Sequence, residues 1–410
     1  MNAKSPELRV KRLEPIPIGS KERVEAPGSS LLALDSRPSA LGFPRGVTLI
    51  ELLISIAIIA TLAVMFLGAS RYAMESARSA RTKTTIAKLH TLIMEQYASY
   101  ETRRVDIDPA FENAVNAISD PTIRGLVLAD IRLLATREMM KYEMPDRWSD
   151  CVAINTSSLR TSTPLVSSIL KVSPAVSKMY YRRFMQAVES TNEDEDLIFS
   201  HQSAECLYLT VMYLTGDGEA RTLFNRQDIG DKDGDGAPEF LDGWGNPIAW
   251  VRWPAGFLPR SAVMTGDTAT DHDPFDPFQR NLVTALPNAS STPSISAVYT
   301  NTLAPLQPSI LHLRNVGPTA LLSPGFRLVP LIYSSGPDGI SDINHSNGTS
   351  VMAAEVSLDP YAIDPDGASS LSFPPNAPAY QFGQPFDNPD APDGDDNSID
   401  NITNHTMEGR

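Results

Sequence analysis

The sequence predicts an α+β protein in which a long amino-terminal helix precedes an enlarged layer of helices and a small antiparallel sheet. Three observations support this fold class. An uninterrupted apolar segment lies at residues 47–70, helical patterns continue through residues 105–225, and short apolar runs separated by Gly, Pro, Asn and Asp follow from residue 226 onward. With 410 residues, 42% of them hydrophobic, the chain is long enough to bury a core.

Negative charge is concentrated in the carboxyl-terminal part of the chain. The formal net charge is -15, and residues 227–410 contain 7 basic and 23 acidic side chains. So few basic residues cannot neutralise a phosphate backbone, and we therefore expect no nucleic acid among the partners. Divalent cations are more natural ligands of such a segment.

Residues 47–70 form a predicted membrane span whose only charged residue is Glu51. At ~1.5 Å per residue, a helix of this length crosses a hydrocarbon core of ~30 Å. Residues 1–46 carry eight basic and five acidic side chains, which predicts that this end lies in the cytoplasm. The part of the chain that follows the long helix, which we call the head, would then lie on the other side of the membrane. Four basic residues beyond the span argue more weakly for the reverse orientation; they are Arg71, Arg78, Arg81 and Lys83.

The same helix is predicted to continue to about residue 104. Neither Gly nor Pro occurs between Gly68 and Pro109, and apolar residues recur at the spacing of one helix face. The residues of this face are Ile86, Leu89, Ile93, Tyr97 and Tyr100. A helix over residues 47–104 is therefore apolar all round in its first half and amphipathic in its second half.

The segment GVTLIELLISIAIIATLA, together with the preceding Pro44 and Arg45, resembles the amino terminus of type IV pilins and of type II secretion pseudopilins. In that family a prepilin peptidase cleaves after a glycine, and the new terminal residue, usually Phe, is methylated. The resemblance implies cleavage after Gly46, which removes residues 1–46 as an unusually long leader, and methylation of Val47. Gly68 corresponds to the helix breaker that many pilins carry.

The resemblance also implies a role for Glu51. A carboxylate inside a bilayer is costly and usually has a function or a partner. In this family the partner is the free amine at Val47, in the same subunit or in a neighbour, and pairing across subunits would set the axial register of a filament. Three alternatives remain open. The carboxylate reaches water at the membrane face, the segment is a cleaved secretory signal, or the helix is an anchor without an assembly role.

Residues 105–225 are predicted to form a helical part of the head. Asp108 and Asp120 each precede a proline, in the pattern of a helix N-cap followed by proline in the first turn. Two further helices are predicted over Ala175–Ser190 and Ala204–Leu214.

Two cysteines, Cys151 and Cys206, lie in this helical part, on the side where oxidation is allowed. The apolar surroundings of Cys206 favour two buried thiols over a disulfide. After residue 226, three strands are predicted over Ile248–Trp253, Arg327–Tyr333 and Ser350–Ser357.

Residues Asp231–Asp242 read DKDGDGAPEFLD, a pattern that matches a calcium loop. We expect a structural calcium ion, with Gly236 allowing the sharp bend. The expected ligands are the carboxylates of Asp231, Asp233 and Asp235, the carbonyl of Ala237, Glu239 through water, and Asp242. A solvated acidic turn is the alternative.

Two later motifs resemble the major pseudopilin of type II secretion. They are a Trp-Gly-Asn-Pro turn at residues 244–247, and a Tyr-Ser-x-Gly-x-Asp-Gly turn at residues 333–339 that leads in that family to a calcium loop. The resemblance implies that Asp338 is a ligand in a second calcium site. Its partners stay open among Asp342, Asp395, Asp396 and Asp400.

The sequence predicts a structural protein and not an enzyme, because it contains no phosphate-binding Gly-rich loop, nucleophile elbow or zinc-protease motif. We therefore expect a type II secretion pseudopilus subunit in the inner membrane, with prepilin peptidase and other pilin-type subunits as partners. The head faces the periplasm, and the subunit is extracted from the membrane into a filament. The alternatives are a type IV pilus subunit with an enlarged head for adhesion or uptake, and a membrane-tethered, calcium-dependent binding module that does not assemble.

Overall fold

The computed structural model describes residues 48–167, 169–214, 220–257, 272–278, 327–341, 343, 358, 360, 382–385 and 400–408. The predicted α+β class is confirmed, since these residues form helices and small antiparallel sheets. The chain divides into two compact units, Met1–Val64 and Met65–Arg410.

Helix α1 runs from Leu49 to Ser99. It continues through Gly68, so the expected helix breaker at this position is wrong; a glycine inside a helix costs only about 1 kcal/mol relative to alanine. The helix also ends before the predicted residue 104, because the chain turns at Tyr100 and Glu101, whose N–H groups donate to carbonyls only three residues back. The predicted apolar face is confirmed, since each of its five residues is at most 4% exposed.

Helices α2 (Pro109–Asn116) and α3 (Pro121–Glu143) begin as the sequence predicts. The Asp108 carboxylate accepts the N–H of Ala110 at 2.7 Å, and the Asp120 carboxylate accepts the N–H of Thr122 at 2.8 Å. Both aspartates therefore satisfy amide groups that a helix start leaves unpaired.

Helix α4 spans Ala175–Ser190, in agreement with the prediction. Residues 193–196 form an acidic run, and a short helix that the sequence did not indicate, α5 (Glu195–Ser200), begins within it. Asp194 caps this helix by accepting the N–H of Asp196 at 3.1 Å. An acidic residue at the start of a helix is favoured by the helix dipole, so this run has a structural role.

Helix α6 spans Gln202–Leu214 and starts two positions before its predicted start. Cys206 on this helix and Cys151 are both free and fully buried, which confirms the expectation of two thiols. Two short helices complete the set in the described residues, α7 (Ala220–Leu223) and α8 (Asn404–Glu408).

The strands are short and pair in antiparallel fashion. In chain order they are β1 (Val152–Ala153), β2 (Thr163–Pro164), β3 (Ile229–Gly230), β4 (Glu239–Phe240), β5 (Ile248–Val251), β6 (Leu331–Ser334) and β7 (Ile402–Thr403). The strands β1 and β2 form one pair, β3 and β4 a second, and the order β5-β6-β7 makes a three-stranded sheet. Two of the predicted strands thus form, with shifted ends, whereas Ser350–Ser357 lies outside the described residues.

The second half of α1 supplies one side of the main core. Ile86, Leu89 and Ile93 are buried in one apolar cluster with Leu207 of α6 and Trp250 of β5. Burying large apolar side chains contributes roughly 1.5–3 kcal/mol each, so this cluster is the main attachment of the helix to the head.

The turn before β5 also contacts α1 closely. The N–H of Gly243 donates to Thr82 Oγ1 at 2.9 Å, and the indole N–H of Trp244 donates to Glu75 at 2.8 Å. A Cβ atom on Gly243 would lie 2.4 Å from the carbonyl oxygen of Arg78. Only glycine allows this approach between the two backbones.

Candidate functional site

The first half of α1 is uncovered in the described residues. Its large apolar side chains between Leu49 and Leu67 are 52–83% exposed. Within the described part of the chain, α1 is the one helix long and apolar enough to cross a membrane. A continuous apolar surface of this size is stable against lipid or partner helices, not against water.

Glu51 lies in the first turn of α1. Its N–H donates to Thr48 Oγ1 at 3.2 Å, so Thr48 caps the helix from the position before Leu49. The Thr-x-x-Glu spacing is the signature of a capping box, which the sequence analysis missed. Gly46 and Val47 lie outside the described residues, and the expected pairing of Glu51 with the Val47 amine therefore remains a prediction.

The predicted calcium loop connects the hairpin strands β3 and β4. The two oxygens of Asp231 accept the N–H groups of Gly234 and Gly236 at 2.7 and 3.1 Å. Gly236 has a φ of +94°, and Gly234 has a φ of +79°. These left-handed conformations favour glycine and let the loop fold back on the Asp231 carboxylate.

Four of the predicted ligands come together in the loop, and one residue that was not predicted joins them from outside it. Two overlapping groups could hold a metal ion, each with three carboxylate oxygens within 4.8 Å of one another. One group contains Asp231, Asp233 and Glu239, and the other contains Asp233, Asp235 and Glu205. Glu205 belongs to α6 and is fully buried. We call these five residues the acidic cluster.

Three members of the acidic cluster are buried with an unpaired oxygen. In the described residues, Glu205 Oε1, Asp235 Oδ2 and Glu239 Oε1 have no hydrogen-bond partner. Their other oxygens accept the indole N–H of Trp148 at 2.8 Å, the N–H of Ala237 at 2.6 Å and the N–H of Lys232 at 3.1 Å, respectively. Each carboxylate is thus held in place with one oxygen left over.

Burial and mutual repulsion destabilise the charged forms of these groups. Burial raises the pKa of Asp235 to about 7, and the carboxylates of Asp233 and Asp231 add to this effect. Burial, followed by repulsion from Asp233, raises the pKa of Glu239 to about 8. The pKa of Glu205 is raised well above its usual value, mainly by burial. A cation at this point would reverse the cost of these charges.

Asp242, the predicted ligand at the twelfth position of the loop, makes its hydrogen bonds outside the acidic cluster. Its Oδ1 accepts the N–H groups of Trp244 and Asn246, both at 2.8 Å, and its Oδ2 accepts the hydroxyl of Ser334 at 2.7 Å. Asp242 therefore shapes the Trp-Gly-Asn-Pro turn and joins it to β6. The sixth predicted ligand, Ala237, is buried beside Asp235.

Asp338 lies at a separate position, exposed, in the turn after β6. Asp400 lies against the same turn, because a Cβ atom on Gly336 would be 2.9 Å from Asp400 Oδ2. Burial, followed by the Asp338 charge, raises the pKa of Asp400 to about 6. Buried oxygens of Asp400 and Asn401 have no hydrogen-bond partner in the described residues. Of the partners left open by the sequence, Asp400 is the one described here, because Asp342, Asp395 and Asp396 lie outside the described residues.

The amino-terminal segment has a recognisable counterpart among known protein families. Residues 44–67 match the family model described as the prokaryotic N-terminal methylation motif. No curated protein and no solved structure is significantly similar to the chain. The motif implies processing by a prepilin peptidase and assembly with pilin-type subunits at a membrane. This motif and the long apolar amino-terminal helix together fit a type IV pilin-like protein.

Proposed function

We propose that this chain is a structural subunit of a type II secretion pseudopilus-like filament, cleaved after Gly46 and methylated on Val47, with a head stabilised by calcium. The observation that carries the proposal is the methylation motif at residues 44–67, which leads directly into the 51-residue helix α1. Cleavage after Gly46 would leave the new amine two positions before the first helical residue, Leu49.

The two halves of α1 support a role in assembly. The second half places a buried face in the core of the head, whereas the first half exposes its apolar side chains. The exposed half of such a helix must be surrounded either by lipid or by the same helix of other subunits. Lipid would surround it while the subunit is in the membrane, and neighbouring helices would surround it in a filament.

The arrangement of the two pseudopilin-like turns favours a secretion filament over a pilus with an adhesive head. The Trp-Gly-Asn-Pro turn leads into β5 and the Tyr-Ser-x-Gly-x-Asp-Gly turn leaves β6, which is its antiparallel partner. Asn246 of the first turn donates to the carbonyl of Gly336 in the second turn at 2.9 Å. The motifs that carry the resemblance therefore form one local structure.

Calcium is the proposed cation of the head. The acidic cluster offers only carboxylate oxygens. Hard cations such as Ca²⁺ prefer oxygen donors, whereas zinc and other softer metals favour nitrogen and sulfur donors. Asp338, with Asp400, is proposed as a second and more exposed calcium site. In both places the ion would offset repulsion between carboxylates and hold separate segments of the head together.

The intact mass and the first residue of protein taken from membranes test the processing step. We expect a chain that starts at methylated Val47. Gly46→Val should leave the leader attached, while Gly42→Val, in the same leader, should be processed normally. A chain that starts at Arg71 would contradict the proposal in favour of ordinary secretion, and an intact Met1 would favour a simple anchor.

Crosslinking between copies in the membrane tests assembly. Glu51→Gln should reduce crosslinks between first halves of α1, because the charge that sets the register is removed. Glu95→Gln, an exposed acid on the same helix, is the matched control and should leave the crosslinks unchanged. Equal crosslinking in wild type and Glu51→Gln would support a tethered module that does not assemble.

Protease added to spheroplasts tests the proposed location, and we expect it to digest the head of the wild-type protein. Deletion of the gene tests the secretion role, and we expect exported proteins to accumulate in the periplasm. Loss of surface fibres with normal export would favour the type IV pilus alternative instead.

A further inference from the structure

Helix α6 contributes an acidic side chain to a loop that lies far from it in sequence. Glu205 is fully buried, its Oε2 accepts the indole N–H of Trp148, and its Oε1 has no partner among the described residues. Its carboxylate lies within 4.8 Å of ligand atoms of Asp233 and Asp235. A buried carboxylate without a counter-charge is strongly unfavourable, so this placement calls for a cation.

The described part of the protein does not supply that cation from its own side chains. None of the described ion pairs involves a member of the acidic cluster, and the Lys232 backbone N–H, not its ammonium, contacts Glu239. Glu205, Asp235 and Glu239 each keep one orphaned oxygen, and the two groups of converging carboxylates to which they belong share Asp233. Carboxylate oxygens that converge in this way are the ligand set of Ca²⁺.

We propose that Glu205 is a ligand of the ion bound by the Asp231–Glu239 loop, in the place that the loop pattern assigns to Asp242. This inference rests on the proposed calcium site and specifies its composition. Asp242 is committed to two hydrogen bonds in the neighbouring turn and one with Ser334 of β6, whereas Glu205 has an unpaired oxygen and lies next to Asp233 and Asp235. One calcium ion then joins α6 to the hairpin of β3 and β4.

The cross-link has a consequence for the main core. Two and six residues beyond Glu205, helix α6 buries Leu207 and Val211 in the cluster that contains Ile86 and Leu89 of α1. An ion that fixes the start of α6 therefore also fixes the surface on which α1 packs. Calcium binding and the packing of α1 against the head are thus coupled through α6.

Glu205→Gln in the full chain, purified in detergent, tests the assignment. Gln keeps the side-chain length and an oxygen for the Trp148 indole, and it removes the charge. With chelator present, the melting temperature should equal or exceed that of wild type, because an uncompensated buried charge is gone. Calcium should bind about tenfold or more weakly and raise the melting temperature less, since the number of charged ligands sets the affinity.

Asp242→Asn is the matched control. It weakens the hydrogen bonds of the turn, so we expect a lower melting temperature by the same amount with calcium and with chelator, and an unchanged calcium dissociation constant. If Glu205→Gln binds calcium like wild type while Asp231→Asn does not, the loop alone forms the site and the role of Glu205 is refuted. Weaker binding in Asp242→Asn but not in Glu205→Gln refutes it equally.

Terbium, a luminescent substitute for calcium, locates the ion independently. An ion on Glu205 lies beside the Trp148 indole, which donates to that side chain at 2.8 Å. Excitation of tryptophan should therefore sensitise terbium emission, and Trp148→Phe should lower this emission more than Trp253→Phe does. If wild type binds neither calcium nor terbium, the calcium proposal itself fails, whereas binding without sensitisation by Trp148 overturns only the assignment of Glu205.

Discussion

Two buried groups of acidic residues in the head differ in how their charge is balanced. Asp146 and Asp150 follow α3, and Arg252 contacts both, with its Nη1 at 2.8 Å from Asp150 Oδ2 and its backbone N–H donating to Asp146 at 3.1 Å. Arg147 pairs with Asp146 at 3.0 Å, and Lys141 lies 3.9 Å from Asp150. The acidic cluster, by contrast, has no basic side chain among its described contacts.

The pKa of Asp146 expresses the same difference, whereas at Asp150 burial outweighs Arg252 and raises the pKa. Burial acts to raise the pKa of Asp146, but Arg147 and Arg252 outweigh it and hold that pKa below its usual range. In the acidic cluster, burial raises the pKa values of Asp235 and Glu239 with no cation to oppose it. In the described residues, arginines lie beside one acidic group and none lies beside the other, and the proposed calcium ion would balance the second group.

Arg252→Met should produce the largest effect and sharpen this comparison. It leaves Asp146 and Asp150 buried with less compensation, and removing one partner of a buried ion pair typically costs about 3–5 kcal/mol of the free energy of unfolding. We expect the same loss in calcium and in chelator, measured by denaturant unfolding. Recovery of this loss by calcium would contradict the distinction between the two groups.

Arg160→Met is the control for that variant. Arg160 pairs with Glu193 at 3.0 Å, but its side chain is 51% exposed. Exposed ion pairs contribute about 0–1 kcal/mol, so this substitution should change stability only slightly in either condition.

Asp235→Asn tests the other side of the comparison and should have the next largest effect. Asn keeps an oxygen for the Ala237 N–H while removing a buried charge, so stability in chelator should be unchanged or higher. Wild type should gain about 2.7 kcal/mol at a calcium concentration of 100 times the dissociation constant, and the variant should lose most of this gain. Calcium titrations monitored by thermal unfolding measure both quantities.

A different result would assign the cluster another role. If Asp235→Asn lowers stability in chelator by as much as it does in calcium, the carboxylate serves the loop backbone and not an ion.

The fold could be predicted where short-range physics decides it. The caps at Asp108 and Asp120 depend on residues two positions away, and the buried face from Ile86 to Tyr100 follows from helical periodicity alone. Helix α4 was predicted with its observed bounds for the same reason. In each case the chain within one or two turns contains all the information that the structure uses.

The site could be predicted only in part, because its composition depends on long-range contacts. The calcium-loop pattern of residues 231–242 identified Asp231, Asp233, Asp235 and Glu239, which do converge. Glu205 precedes the loop in a separate helix, and no local pattern marks it. A second acid, Asp242, matched the loop pattern but satisfies the turn beside β6 instead, a competition that is visible only when Ser334 is in place.

Asp338→Asn should give the smallest effect. It extends the comparison to a third acidic group, Asp338 and Asp400. Asp338 and Asp400 lack a basic partner in the described residues, as the acidic cluster does, but Asp338 is exposed, so water already screens its charge. In chelator, stability should stay within about 0.5 kcal/mol of wild type, with any change in the stabilising direction because repulsion of Asp400 is relieved.

In calcium, Asp338→Asn should remove no more than about 1 kcal/mol of the stabilisation, measured in the same titration as Asp235→Asn. The ratio of the two losses ranks the sites, since an ion gains most where the apoprotein buries unpaired carboxylates. If Asp338→Asn abolished the calcium response and Asp235→Asn left it intact, the exposed turn after β6 would hold the structural ion. The buried oxygens of the acidic cluster would then be an energetic cost that the head carries without relief.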